Sequence, residues 1–230
     1  MLGIIGAMDI EVDMLKAMVE EKSVCTVSSV DFVSGKILGK DVVVARCGIG
    51  KVNAAICAQT MILKYAPDTI INTGVGGSLS NSLNIGDIAM ADYVVQSDAD
   101  TSALGDPVGL ISTINVIKIP SSKRVCDALE KAGKALGLKT CLGTISTSDS
   151  FIASAEKKKW LVENFDAIAC EMEGGSIGHV CYVNGVDFGV VRAISDKADG
   201  SSHMDYGEFC AMAAKNSTAM ICEYIKNMDI

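Results

Sequence analysis

Three stretches of the chain set charged side chains where reactive groups could gather. "EMEGG" at 171–175 places Glu171 and Glu173 two residues apart, between an apolar run and a glycine pair. "GIIGAMDIEV" at 3–12 carries Asp9 and Glu11 just beyond an apolar run, and "VVRAISDKADGSSH" at 190–203 delivers Arg192, Ser195 and Asp196 before dissolving into small polar residues. Paired carboxyl groups suit general acid–base work, one giving a proton to a leaving group while the other takes one from water. Each stretch also has a bland reading. Acids in a first helical turn favour the positive end of the helix dipole, and an arginine beside an apolar strand is commonly half of a structural ion pair.

The elements that must position these groups follow from hydrophobic periodicity. Runs at 2–7, 41–46, 69–74, 87–95 and 186–194 are rich in β-branched residues, several of them apolar on successive positions, as strands buried on both faces are. Between them 51–65, 122–137, 154–165 and 206–227 carry helical spacing, as do Val12, Leu15 and Val19. This alternation predicts an α/β fold, a three-layer αβα single domain over 1–230 with a central mixed, largely parallel twisted sheet. Ligands of such sheets bind beyond the carboxyl ends of the strands, where the charged stretches fall. "INTGVGGSL" at 71–79 ends another strand in three glycines within four residues, a backbone able to bring N–H groups close to a ligand. On a strand, Glu171 and Glu173 would face the same side and repel, so one must turn away or find a cation.

Several classes are disfavoured. "CGIGKV" at 47–52 is no phosphate loop, since Ala45 and Val52 stand where glycine and a hydroxyl residue belong, and "GIIGAM" lacks the middle glycine of the dinucleotide fingerprint. The formal charge of −8 and the lack of a long basic cluster argue against nucleic-acid or anionic-membrane partners, with Lys157-Lys158-Lys159 read as the solvated face of a helix. Nine cysteines without a C-x-x-C pair read as buried thiols of a reducing cytosol, and two distant histidines, His179 and His203, give zinc no suitable ligand spacing. The start offers neither a basic region nor a long apolar run for export, and no later run is long enough to span a bilayer.

Taken in order, "GIIGAMDIEV", "GIGKVNAA", "INTGVGGSL", "GDIAMAD", "DAD" (98–100), "SDSFI" (148–152), "EMEG", "VVRAISDKAD" and Glu208-Phe209 make nearly the whole chain resemble the 5′-methylthioadenosine/S-adenosylhomocysteine nucleosidases of the nucleoside phosphorylase fold. The resemblance implies hydrolysis of the N-glycosidic bond between adenine and a 5′-thio-substituted ribose, with no cofactor. It implies Glu11 as the base that handles the attacking water and Asp196 as the acid that protonates adenine N7, shielded or hydrogen-bonded so as to hold a proton. Glu173, with the Met172 backbone beside it, would bind the ribose hydroxyls, and Glu171 would be held by Arg192 or by the backbone.

Phe151 would stack on adenine, the Ile152 backbone would read its edge, and Met8, Ile49 and Tyr206 would line the 5′-thio pocket. Thr101 and Leu104 would come from the partner subunit of a cytoplasmic homodimer. Val75-Gly76 departs from the serine-alanine common in the family, so another group or a water must hold Asp196, beside which Ser195 lies. Gly174-Gly175 replaces alanines, which predicts a late or loosened helix start. The rivals are a phosphate-dependent purine nucleoside phosphorylase, an aminodeoxyfutalosine nucleosidase and a non-catalytic nucleoside-binding protein.

Overall fold

The computed structural model describes residues 1–199 and 206–228. In chain order the elements are β1 (Leu2–Gly6), α1 (Asp9–Met18), β2 (Glu20–Val27), β3 (Val30–Ile37), β4 (Lys40–Arg46), α2 (Lys51–Tyr65), β5 (Thr69–Ser78), β6 (Ile88–Gln96), a 3-10 turn at Ser102–Leu104, and β7 (Ile119–Pro120). There follow α3 (Lys123–Ala135), β8 (Thr140–Thr147), α4 (Ala155–Phe165), β9 (Ala167–Glu171), α5 (Gly174–Asn184), β10 (Asp187–Asp196) and α6 (Tyr206–Lys226).

Successive apolar residues of the central strands enter different cores, because strand side chains alternate between the two faces of a sheet. Ile4, Val42, Val44 and Val191 pack with Leu15 of α1, Leu129 of α3 and Ile221 of α6. Ile5, Val43, Ala45 and Val190 pack instead with Cys57 and Met61 of α2 and Ile177 of α5. A smaller cluster gathers Leu161 and Phe165 of α4 around Leu79 and Val95. The fold is therefore α/β, a mixed sheet with helices on both faces.

The strand path is β10-β6-β8-β9-β5-β1-β4-β3-β2, with β7 beside β6 and a further pairing of β10 with β5. That last pairing closes β5, β10, β6, β8 and β9 into a ring, from which β1, β4, β3 and β2 run out as a flange. Strands β1–β4, β1–β5, β5–β10, β6–β8 and β8–β9 pair parallel, and β2–β3, β3–β4, β5–β9, β6–β7 and β6–β10 antiparallel.

Two local features of the ring shape the site. β5 does not stop at Gly74 but continues, buried throughout, to Ser78, so its glycines lie within a strand rather than a turn. Their lack of side chains lets the neighbours close in: a Cβ on Gly76 would stand 2.9 Å from the Cys170 carbonyl of β9. In β10 the register with β5 shifts between Ile194 and Asp196. A bulge of this kind bends the strand and re-aims its side chains, here at the strand's carboxyl end.

Candidate active site

Glu11 is the third residue of α1, and its carboxylate reaches back over the open end of the helix, where N–H groups lack intrahelical partners. Its Oε2 accepts from the backbone N–H of Ala7 at 2.7 Å and of Met8 at 2.9 Å, and its Oε1 from the N–H of Val75 on β5 at 2.9 Å. An ionised carboxylate offers about four lone-pair sites. Three are thus taken by the backbone, which fixes the group and leaves about one for a ligand or water.

Beneath the site, Arg192 of β10 is 1% exposed. Its Nη2 donates to Asn72 Oδ1 and, at 2.5 Å, to Glu171 Oε2, and lies 3.6 Å from Glu173 Oε2. Burial works against the guanidinium charge, but Glu171, Glu173 and Glu11 hold its pKa above the ordinary arginine value. Glu171 is held by cation and backbone together. Its Oε2 also accepts from the N–H of Glu173 at 2.8 Å and of Gly174 at 2.6 Å, while Oε1 accepts from Thr147 Oγ1.

Glu173 is served far less. As N-cap of α5 it turns out of the strand direction, with φ −132° and ψ −38°. Its Oε1 accepts one N–H, that of Gly50, at 2.8 Å. Burial, and after it the Glu171 charge, push its carboxyl up to about 7, against the opposite pull of Arg192 and the Gly50 N–H. The two glutamates that share one strand end therefore do different work, one locked and one short of donors.

Asp196 sits at the bulge and is buried. Its Oδ1 accepts from the Ala198 N–H at 2.8 Å, and Ser195 Oγ donates to its Oδ2 at 2.9 Å. Ser195 is thus the hydroxyl beside this carboxyl, while Val75 serves the site through its backbone. Lys158 of α4 pins the same turn, donating to the Ser78 carbonyl at 2.9 Å and the Lys197 carbonyl at 2.7 Å. Its reading as part of a solvated face is corrected: Lys159 pairs with exposed Glu163 and Lys157 covers the Trp160 ring, but Lys158 turns inward to the two backbone carbonyls.

The expected late start of the helix after Glu173 is also corrected, since α5 begins at Gly174. A methyl group would collide at Gly175 and be crowded at Gly174. A Cβ on Gly175 would approach Thr147 Oγ1 to 2.8 Å and the Val95 carbonyl to 3.0 Å, and one on Gly174 would crowd Glu171 and Val190. Close packing of helix on ring outweighs the weak helical propensity of glycine.

These groups border one cavity of about 610 Å3, its open mouth included, within the usual range of about 300–1,000 Å3 for small-molecule sites. Of the residues singled out from sequence, Met8, Glu11, Ile49, Val75, Gly76, Phe151, Ile152, Met172, Glu173, Ser195 and Asp196 line it. Ile49 and Phe151 stand at its mouth, about half exposed, whereas Ile152 is buried. Arg192 supports the floor from behind. Thr101 and Leu104 stand outside it, on and beside the 3-10 turn, with Leu104 83% exposed. The Tyr206 side chain and His203 lie outside the described residues.

Sequence reasoning missed Ala7, Asn72, Gly74, Thr147 and Gly50, each of which donates to, accepts from or makes room for a site side chain. Only the glycines carried a signal. Cys170 also lines the cavity; burial and then the Asp196 charge push its thiol far above the ordinary cysteine value, which keeps it protonated and inert.

Residues 1–226 match the model of the phosphorylase superfamily. A 5′-methylthioadenosine/S-adenosylhomocysteine nucleosidase of Shewanella halifaxensis is 42% identical over 229 residues, 99% of each chain. The nucleosidase of the same description from Neisseria meningitidis, in complex with methylthio-immucillin-A, has a TM-score of 0.95 at 31% identity, over 99% of both chains. The futalosine hydrolase of Helicobacter pylori strain 26695 reaches 0.94 at 32% identity, over 99% of this chain and 97% of that one. Alike in sequence over its whole length and in backbone throughout, the chain belongs to the 5′-methylthioadenosine/S-adenosylhomocysteine nucleosidase family of the phosphorylase superfamily.

Proposed function

We propose that the protein hydrolyses 5′-methylthioadenosine and S-adenosylhomocysteine, and 5′-deoxyadenosine with them, to adenine and the 5-substituted ribose. The observation that carries this reading is the convergence of Glu11, Glu173 and Asp196 on one cavity whose described lining includes no lysine or arginine. Arg192, behind the cavity floor, is already committed to Glu171. Carboxylates repel a phosphate nucleophile and suit water.

In the proposed reaction, water bonds to C1′ of the ribose while the C1′–N9 bond breaks and its electron pair passes to adenine. Glu11, held by three backbone N–H groups, spends its remaining acceptor site on the water and takes its proton. Asp196 gives a proton to N7 of the departing base, and the Ser195 hydroxyl, which can accept as well as donate, supports its protonated form. Glu173 binds the ribose hydroxyls with the oxygen that Gly50 leaves open. Phe151 covers adenine, the Ile152 backbone reads its edge, and Met8, Ile49 and Tyr206 receive the thioether.

The protein acts as a cytoplasmic homodimer, without cofactor, in which Thr101 and Leu104 of each subunit complete the 5′ pocket of the other. The exposed apolar side chains Val52, Leu63 and Leu104 support an interface. Adenine release from purified protein in phosphate-free buffer, unchanged by added phosphate, is the expected result; strict dependence on phosphate would make it a phosphorylase. A second reading, cleavage of aminodeoxyfutalosine, is favoured by the likeness to the Helicobacter futalosine hydrolase. The same assay with that nucleoside at equal concentration ranks the two by kcat/KM.

A further inference from the structure

The first turn of α2 is capped from afar. Its N-cap residue, Gly50, has no side chain to receive the open N–H groups. The acceptor comes instead from Asp149, whose Oδ1 takes the Lys51 N–H at 2.8 Å across 98 residues of sequence. Gly50 has φ +97°, a conformation that favours glycine, and a Cβ there would stand 3.0 Å from Asp149 Oδ1. A serine or aspartate at position 50 would cap the helix locally but could not take this conformation cheaply. What the conformation provides is the direction of the Gly50 N–H, which points at Glu173 Oε1 from 2.8 Å.

Asp149 is itself anchored. Its backbone N–H donates to Asp98 Oδ2 at 2.9 Å, while Asp98 Oδ1 accepts from Lys51 Nζ at 2.6 Å. Lys51 N, Asp149, Asp98 and Lys51 Nζ thus close a ring of three hydrogen bonds, with the lysine and Asp98 side chains only 18% and 30% exposed. The Lys51 carbonyl, in turn, accepts from Ser176 Oγ at 2.7 Å, which ties the same turn to α5. Directly after Asp149 come Ser150, Phe151 and Ile152, which line the same cavity as Glu173.

We infer that Asp149 is a positioning residue: with Lys51 and Asp98 it sets the Gly50 N–H on Glu173 and so links the loop that covers the base to the carboxylate that receives the sugar. The part played by Glu173 rests on the proposed function; the link itself does not.

The direct test is carbon NMR titration of the Glu173 side-chain carboxyl in wild type, Asp149→Ala and Asp149→Asn. Groups facing Glu173 are Glu171 from β9, Arg192 from β10, Glu11 from α1 and Cys47 at the end of β4. None changes between the variants. Both variants remove the Asp149 charge, but asparagine keeps an Oδ1 acceptor for Lys51 N–H. Glu173 is therefore expected to titrate about one unit higher in the alanine variant than in the asparagine variant, through loss of the Gly50 N–H.

With nucleoside, KM is expected to rise about tenfold in Asp149→Ala, a one-unit shift being worth about that factor, with kcat changed much less and asparagine restoring most of the loss. Coincident titrations and equal KM values in the two variants, with a lower Tm as the only effect, reduce Asp149 to a helix cap and overturn the inference. Should Asp149→Ala not fold, Lys51→Met and Lys51→Gln both remove the lysine charge but only glutamine keeps a donor for Asp98, so Glu173 must titrate higher in the methionine variant; coincident titrations there also overturn the inference. A wild type that releases no adenine refutes the proposed function instead, and leaves the titration to decide the link.

Discussion

Gly74→Ala is the smallest change that should disable the site. A Cβ at this position would fall 2.5 Å from Glu11 Oε1, 2.6 Å from Arg192 Nη1 and 2.9 Å from Glu11 Cδ. Ordinary contact needs about 3.5 Å, so the carboxylate must retreat by about 1 Å. It has nowhere to go with its bonds intact, since Oε1 is held by Val75 N–H at 2.9 Å and Oε2 by Ala7 at 2.7 Å. A displacement of about 1 Å in a reacting group costs about a hundredfold in rate. Overpacking of this kind costs about 1–3 kcal/mol. At about 2–4 °C per kcal/mol for a chain of this size, Tm should fall by roughly 2–12 °C. Adenine release at 25 °C, read beside a thermal melt, checks both numbers. Turnover within about threefold of wild type in a variant that melts normally would show that Glu11 is not fixed where the reaction needs it, since a misplacement of that size should cost far more.

Asp196→Asn keeps the shape of the side chain and its bond from Ala198 but cannot deliver a carboxyl proton, so turnover should drop at least about a hundredfold with an unchanged fold by circular dichroism; near-normal turnover removes Asp196 from the acid's role. Gly175→Ala should destabilise the protein although alanine is the better helix former by about 1 kcal/mol, because its methyl group meets the Thr147 hydroxyl at 2.8 Å; a raised Tm would show that α5 can move away from the ring. Glu173→Gln bears on stability against pH. The folded carboxyl titrates at about 7 and the unfolded one near 4.5, so between these values the folded state holds more protons and loses stability as pH rises. Across that window wild type should lose Tm relative to Glu173→Gln, and parallel melting curves from pH 4.5 to 7.5 would contradict the raised value.

What the sequence disclosed and what it hid divide along the distance over which each feature is built. Glu11, Glu173, Arg192 and Asp196 stand at the ends of apolar runs, and one run after another pointed to the same rim; the cavity gathers all but Arg192, which lies just behind it. The strands β1, β4, β5, β6 and β10 are legible because both faces are buried and their apolar residues follow one another. The closure of the ring is not, for it depends on β5 running on through Gly74, Gly76 and Gly77, residues that read as a turn by propensity and act as spacers for β9 and β10. Lys158 hid in a charged triplet because its partners are carbonyls, which leave no mark on a sequence. The bond from Gly50 to Glu173 spans 123 residues and that from Lys51 to Asp149 spans 98, and neither follows from periodicity or from a motif.

The distribution of donors explains how four carboxyl groups share one small cavity. Glu11 has three backbone N–H groups, and Glu171 has two of them with the guanidinium and a threonine hydroxyl. Asp196 has one N–H and a serine, and Glu173 one N–H with the guanidinium at longer range. Donors concentrate on the group that anchors the floor and on the one proposed to receive the water's proton. They are fewest on the one proposed to meet the sugar, whose carboxyl burial and then the Glu171 charge push up to about 7. In the proposed complex a ribose would bring two hydroxyl donors to that place, where the carboxyl has one N–H and a distant guanidinium. On the proposed function the shortage of donors at Glu173 would favour a ligand with hydroxyls at that spot, since a buried acceptor short of donors costs about 1–3 kcal/mol until something donates to it.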